Sequence, residues 1–254
     1  MPLFKVFSTA EAASFWLRRA TDPDLFDLVE DRVLLQEDQR TFHIPHGMGR
    51  VHGAAWLDVV GLLRAHVLQK ANGTLFMIRD VAPQIVREHG NAVRVHEHSA
   101  GWLVWCTGAF AHLPGLIPVK GEGLTLRVPG VDPDRIMQQQ AFAIPIGKGL
   151  VKLGSTYVWE DVLSGPSNEG RSQLIERAKA LFCAEFRIED QWWGVRPTAR
   201  DRRPLLGTIS ERQAVFNGLG SRGVLLAPWC AGHLADHLLE GTALDPEVDR
   251  SRFD

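Results

Sequence analysis

Cysteine is scarce in this chain: Cys106, Cys183 and Cys230 are the three in 254 residues, far apart and without C-x-x-C spacing. An odd, scattered set argues against a disulfide framework and a zinc site. It fits a reducing compartment, so the expected location is cytoplasmic. Long apolar runs are missing as well. Nothing approaches the ~18 consecutive apolar residues of a membrane-spanning helix. The N-terminal MPLFKVFSTAEAASFW has no long apolar stretch behind Lys5 that would make it a signal peptide. Neither sign of charge dominates: 28 Lys and Arg against 30 Asp and Glu leave a net charge of −2. That gives no electrostatic case for nucleic acid or an anionic membrane as partner. His43 and His46 stand three apart with no third ligand evident, and no metal is expected. Internal repeats, low-complexity segments and long charge runs are absent. What remains, 45% hydrophobic and 23% charged residues, can build a sizeable core in one large domain or two small ones.

The stretch around which the rest is organised is 214–241, AVFNGLGSRGVLLAPWCAGHLADHLLEG. An apolar run, Ala214 to Phe216, enters a loop in which Gly218, Gly220 and Gly223 spell G-x-G-x-x-G. A helix is predicted from about Leu226 to Glu240, with Pro228 in its first turn and Gly241 as its stop. His233, Asp236, His237 and Glu240 form a polar stripe between Leu234, Ala235, Leu238 and Leu239. Strand, glycine loop and helix start together present backbone N–H groups and the positive end of a helix dipole to an electron-rich ligand. A dinucleotide fingerprint would further need a second strand carrying an acidic residue about 20 residues past the glycines. Only GTALDPEVDRSRFD follows the helix, and it does not read as a strand. On local pattern alone, a tight turn packing a helix on a sheet explains the glycines equally well.

Elsewhere, Ser8-Thr9-Ala10-Glu11 reads as an S-x-x-E capping box opening a helix over 8–20. Residues 21–50 read as loop, with a short strand around Arg40 to Ile44. An amphipathic helix is predicted over 56–71, closed by Asn72-Gly73. Strands are predicted at 74–81 and 92–97, and a buried one at 101–106 that ends in Thr107-Gly108-Ala109. Pro114 to Gly123 leaves that sheet. Strands then follow at 123–129, 141–147, 150–159 and 184–194, interrupted by a helix over 171–183 whose inner face is Leu174, Ile175, Ala178, Leu181 and Phe182. Strands with one helix between them imply an antiparallel sheet packed against helices.

Two motifs in order, W-G-V-R-P-T-x-x-D-x-x-P-L-L-G at 193–207 and N-G-L-G-S-R-G-V-L-L-A-P at 217–228, resemble the C-terminal end of FAD-dependent amine and amino-acid oxidoreductases of the D-amino-acid oxidase and glycine oxidase-like superfamily. The strand ending in Thr107-Gly108-Ala109 and the segment P-V-K-G-E at 118–122 are similar to that family too. The resemblance implies an α/β fold with α+β character: an incomplete Rossmann-like FAD domain plus a substrate domain of mainly antiparallel sheet with helices. Its implied divisions are 1–70 as the helical and loop part of the substrate side, 71–113 as FAD-domain strands, 114–210 as substrate domain, and 211–254 as the closing FAD-domain loop and helix. The family begins with a βαβ dinucleotide-binding unit that nothing before Trp56 resembles, so something on the order of 80 residues, including that ~30-residue unit, is expected to be missing.

The same resemblance implies FAD as cofactor and hydride transfer from a small amine or amino acid to the flavin. Gly218, Leu219, Gly220, Ser221, Arg222, Gly223, Val224 and Leu225 would lie along the flavin ring, where N–H groups stabilise charge gathered at its N1/C2 edge. Gly108 would let backbone approach the cofactor, and Val81 matches a residue whose backbone contacts adenine. Arg196 matches the arginine that pairs with a substrate carboxylate, with a strand-end surface ion pair as its plain alternative. Tyr157, the only tyrosine, would border the substrate or simply pack on a sheet. Trp192 and Trp193 stand beside Arg196, as pocket wall or core. Asp201 is expected to organise the Arg200–Arg203 turn, and no catalytic acid, base or nucleophile is read. Ser221 stands where glycine oxidase has an arginine, with Arg222 shifted by one, so substrate preference does not transfer. The second motif also resembles the oxidase part of a bacterial tRNA-wobble-uridine modifying enzyme, which predicts a basic surface or an attached methyltransferase domain. The rival expectation is a truncated, flavin-free homologue that is inert or acts as an interaction module. Oligomeric state is left open.

Overall fold

Period-two alternation in the second half of the chain and 3.6-residue periodicity in its helices are both realised in the structure, a computed structural model that describes residues 1–35, 40–68 and 81–254. In chain order the elements are β1 (Leu3–Val6), α1 (Ala10–Ala20), β2 (Met48–Val51), α2 (Val59–Leu68), β3 (Arg87–His89), β4 (Ala92–Val95), β5 (His98–Ala100), β6 (Leu103–Trp105), β7 (Leu116–Arg127), β8 (Ile136–Gln138), β9 (Phe142–Gly147), β10 (Leu150–Gly154), α3 (Asn168–Leu181), β11 (Arg187–Ala199), β12 (Leu205–Thr208), β13 (Gln213–Asn217) and α4 (Gly223–Glu240). The fold is α/β with a mainly antiparallel sheet. Its contacts form two compact units, Met1–Trp56 with Lys120–Gly194, and Leu57–Val119 with Val195–Asp254. The chain passes between them after Trp56, inside β7 and inside β11.

The first unit is built on a seven-stranded sheet in the order β11-β7-β10-β9-β8-β1-β2. β1 with β2, β7 with β10, β10 with β9, and β9 with β8 pair antiparallel; β1 with β8 is parallel. Alternate residues Leu124 and Leu126 on β7, Val128 just past its end, and Val151 and Leu153 on β10 are wholly buried. They pack in one core with Leu174, Ala178 and Leu181 of α3 and with Phe182, its C-cap, while Ile175 packs against it partly buried, as the predicted inner face required. α3 starts three residues earlier than predicted because Ser167 caps it, its hydroxyl accepting the Gly170 N–H at 3.0 Å. At Gly123 a Cβ would lie 2.1 Å from the Trp192 ring. Trp192 therefore lies on a floor of sheet backbone that only glycine leaves open, while Trp193 is exposed.

Among the described residues the second unit holds two three-stranded sheets, β12-β13-β6 and β3-β4-β5. β12 pairs antiparallel and β6 parallel with β13. α4 packs Cys230 and Leu234 against Leu206 and Val248.

Several predicted elements differ in detail. The cap of α1 is Thr9, whose hydroxyl accepts the Ala12 N–H, one residue past the predicted Ser8. Around 40–44 only Phe42 pairs, in an isolated bridge to Phe182; the strand of this region is β2, held by β1. β1 has no counterpart among the strands predicted from sequence. α2 keeps its place, but Val59, Val60, Leu62 and Leu63 are exposed, because apolar residues at consecutive positions wrap round a helix and leave no single face to bury. Asn72-Gly73 and the strand predicted at 74–81, except Val81, fall outside the described residues. The strand at 101–106 is not buried. Among the described residues β6 has a neighbour on one side only, and Val104 is 38% exposed. Residues 114–123 leave the β6 sheet as expected, and do so by running into the long strand β7 of the seven-stranded sheet. No helix among the described residues is long and apolar enough to cross a membrane.

Candidate functional site

The glycine loop follows β13 without a break. Asn217 ends the strand, Gly218 and Leu219 turn, a 3₁₀ turn covers Gly220–Arg222, and α4 begins at Gly223. Pro228 is thus the sixth residue of α4, not in its first turn as predicted. The N–H it lacks leaves the carbonyl of Val224 without its helical partner, on an exposed stretch where water can serve. Gly218 is required twice over. Its φ is +71°, and a Cβ there would lie 2.8 Å from Cγ and 2.9 Å from N of Leu205 on the neighbouring strand.

Two loops meet through one side chain. Asn217, 3% exposed, donates from Nδ2 to the Gly108 carbonyl at 3.0 Å, and its Oδ1 accepts the Gly218 N–H at 2.8 Å. The Thr107-Gly108-Ala109 turn and the glycine loop are thereby held side by side. Gly108 has φ +67°, and a Cβ there would meet nothing within 4 Å among the described residues, which leave its outer side open. A third strand joins them: Thr198 forms an antiparallel bridge with Leu219. A Cβ at Gly220 would lie 3.4 Å from Thr198 Oγ1. Arg196, two residues before Thr198, takes the same side of β11 by strand alternation and is half-buried.

The first turn of α4 carries no acidic residue and no side-chain cap. Ser221 and Arg222 are exposed, Val224 is 57% and Leu225 77% exposed. A helix of 18 residues thus offers its leading N–H groups and dipole toward a face whose apolar residues are uncovered. That donor set suits the electron-rich edge of a flat ring.

A family model described as DAO, FAD dependent oxidoreductase, matches residues 4–237. The chain belongs to this family. Among its curated relatives, the bifunctional protein ThiO/ThiG of Nostoc sp. is 31% identical over 61% of this chain and 26% of its own length. The tRNA 5-methylaminomethyl-2-thiouridine biosynthesis bifunctional protein MnmC of Caulobacter vibrioides is 31% identical over 91% of this chain and 42% of its own. The chain therefore spans about a quarter of the length of the first of these and under half of the second. Among solved structures, glycine oxidase from Geobacillus kaustophilus shares the fold with a TM-score of 0.76 and 23% identity, over 96% of this chain and 72% of that one.

Within this family frame the remaining predicted residues divide. Gly108, the Gly218–Leu225 loop and Arg196 all belong to the second unit. Val81, 38% exposed, lines a separate cavity of about 270 Å³ with Val93, Val95 and Trp102. Tyr157 belongs to the first unit and is 52% exposed. Asp201 is a structural anchor. Arg252 grips it from Nε at 2.8 Å and Nη2 at 3.2 Å, and it accepts the Arg203 N–H at 3.0 Å. The Arg252 guanidinium, with the Arg203 N–H, holds its carboxyl below the usual aspartate range despite partial burial. The residue missed from sequence is Asn217. The available signal was an amide side chain closing an apolar strand directly before a glycine, a place where a polar group is buried only if it is bonded.

Proposed function

We propose that this chain works as a FAD-dependent oxidoreductase acting on a small amine or amino acid, with the flavin ring lying along Gly218–Leu225. The observation that carries this is the Asn217 bridge. It sets the open side of Gly108 beside the glycine loop, while the Thr198–Leu219 pairing ties the strand of Arg196 to the same loop. The uncapped start of α4 and the uncovered Val224 and Leu225 fit the ring end of the cofactor. When bound, FAD supplies the hydride acceptor. The chain's own work is positional: N–H groups of the loop and the first helical turn stabilise negative charge at the ring edge. The guanidinium of Arg196 holds a substrate carboxylate in a two-point grip that orients the α-carbon.

An absorption spectrum of the purified chain, before and after adding FAD and desalting, tests the cofactor. A retained flavin spectrum that bleaches anaerobically with an amine is expected. A colourless protein that releases all added FAD would overturn the proposal. In the flavin-loaded protein, Arg196→Ala should lower kcat/KM for amino acids by about a hundredfold, chiefly through KM. Amines lacking a carboxylate should be oxidised at an unchanged rate; an equal loss on both substrate types would remove Arg196 from carboxylate recognition.

A further inference from the structure

A second cavity of about 310 Å³ lies in the second unit, between the 201–204 turn, one side of α4 and the 245–248 turn. On α4 it takes Leu226, Trp229 and Cys230, with Arg222 just before the helix, on the side turned away from the exposed Val224. Three arginines (Arg202, Arg203 and Arg222) and three carboxylates (Asp201, Asp245 and Glu247) line it, and they are not all paired with one another. Asp201 is taken by Arg252, Glu247 by Arg203 at 3.3 Å, and Asp245 by the Glu247 N–H at 2.8 Å. Arg202 and Arg222 are left without a carboxylate in an ion pair, against the one remaining charge of Asp245. Among the described residues no hydrogen bond or ion pair engages the Arg202 guanidinium. That of Arg222 donates only to the Arg202 carbonyl, at 3.0 Å. Arg202 also holds φ +63°, a left-handed conformation an arginine adopts at a cost, fixed here by that carbonyl contact and by its own N–H on Ala199.

The α4 wall is aromatic and held in place. The Trp229 ring stacks on His233 at 4.8 Å and 22°, and His233 Nε2 accepts the Asp245 N–H at 2.9 Å. Leu226, Val248 and Pro204 add apolar surface.

From this meeting of two guanidiniums outside any ion pair with an anchored indole, we infer that the cavity binds a small planar anion: a single aromatic ring bearing a carboxylate or a phosphate ester. The ring packs along Trp229 and the anion is gripped by Arg202 and Arg222. A bare inorganic anion would leave the apolar wall wet. A polyanion would meet Asp245 and Glu247 at the same opening. The inference does not depend on flavin binding.

Calorimetric titration of the whole chain at fixed ionic strength tests it, with phenyl phosphate, benzoate, inorganic phosphate and benzyl alcohol as probes. At least one aromatic anion is expected to bind about tenfold more tightly than inorganic phosphate and the neutral alcohol. Arg202→Gly should lose about tenfold in that affinity. Its circular dichroism and melting should be unchanged or improved, because glycine favours the φ this site imposes. Trp229→Ala should weaken ring-bearing probes and leave inorganic phosphate unchanged, and Arg196→Ala should bind as wild type. The inference is overturned if no probe binds, if inorganic phosphate equals the aromatic anions, if Arg202→Gly keeps full affinity, or if Arg196→Ala abolishes binding.

Discussion

Glu122→Gln is expected to remove about 3–5 kcal/mol of folding stability, a fall in melting temperature of roughly 10 °C for a chain of this size. Glu122 is wholly buried and Lys120 is 3% exposed. Four donors converge on the carboxylate: Lys120 Nζ at 3.3 Å, the Ser167 hydroxyl and N–H at 2.8 Å each, and Gln191 Nε2 at 2.9 Å. An amide in its place turns an NH₂ toward two of these donors and leaves the Lys120 charge with only Ser164 Oγ and the Gly165 carbonyl. No rearrangement relieves this cheaply, since a Cβ at Gly170 would already lie 2.6 Å from Oε2. Lys120→Met should cost less, because three donors still satisfy the carboxylate. In the Glu122→Gln background it should cost less again, and a double-mutant cycle measures that coupling. Burial pushes the Glu122 carboxyl up, but the Ser167, Gln191 and Lys120 donors outweigh it and hold it below the ordinary glutamate value. A carboxyl depressed in the folded state contributes stability above the unfolded value, near 4.5, and loses it as pH falls through the folded one. The gap between wild type and Glu122→Gln should therefore be full at neutral pH and close on acidification below that value. A pH-independent gap would assign the loss to packing alone.

The Lys-Gly-Glu stretch that carries this network reads in the sequence as a family likeness, while its physical role is hidden there. Lys120 and Glu122 alternate like surface residues. Only the return of Ser164, Ser167 and Gln191, 44 to 69 positions away from their partners, makes them interior. What can be read is what neighbours in sequence decide. The inner face of α3 follows from i, i+4, i+7 spacing, and the β7 and β10 cores follow from alternation. What cannot be read depends on distant partners. β1 is four residues long and exists because 48–51 and 136–138 pair with it. The site shows the same division. Gly218 and Gly220 announce a turn locally, whereas the nearness of Gly108 and of the Arg196 strand to that turn depends on contacts across many residues. The Arg196 assignment itself comes from resemblance, not from spacing. Asn217 stays invisible because its partner carbonyl lies 109 residues upstream.

That contact supplies the sharper test of the site. Asn217→Asp keeps the acceptor for the Gly218 N–H and replaces the amide donor to Gly108 with a carboxylate oxygen facing a carbonyl oxygen. In a position 3% exposed to solvent this puts an unpaired charge against a like dipole, and a loss of about 3 kcal/mol is expected at neutral pH. The variant has an escape that Asn217→Ala lacks. Once protonated, the introduced carboxyl carries an O–H that can donate to the Gly108 carbonyl, so burial and repulsion raise its folded pKa above the unfolded value. The sign is then opposite to that of Glu122: the penalty is full above the folded value and is recovered as pH falls through it. Melting curves for the two variants should separate with acidification, Asn217→Asp approaching wild type and Asn217→Ala staying low. If the two loops together cradle the flavin ring, FAD retained after desalting should rise with the recovered stability of Asn217→Asp. It should stay poor in Asn217→Ala at any pH where the wild type holds the cofactor. Recovery of the fold without recovery of flavin would mean that Asn217 ties two loops that do not share a ligand.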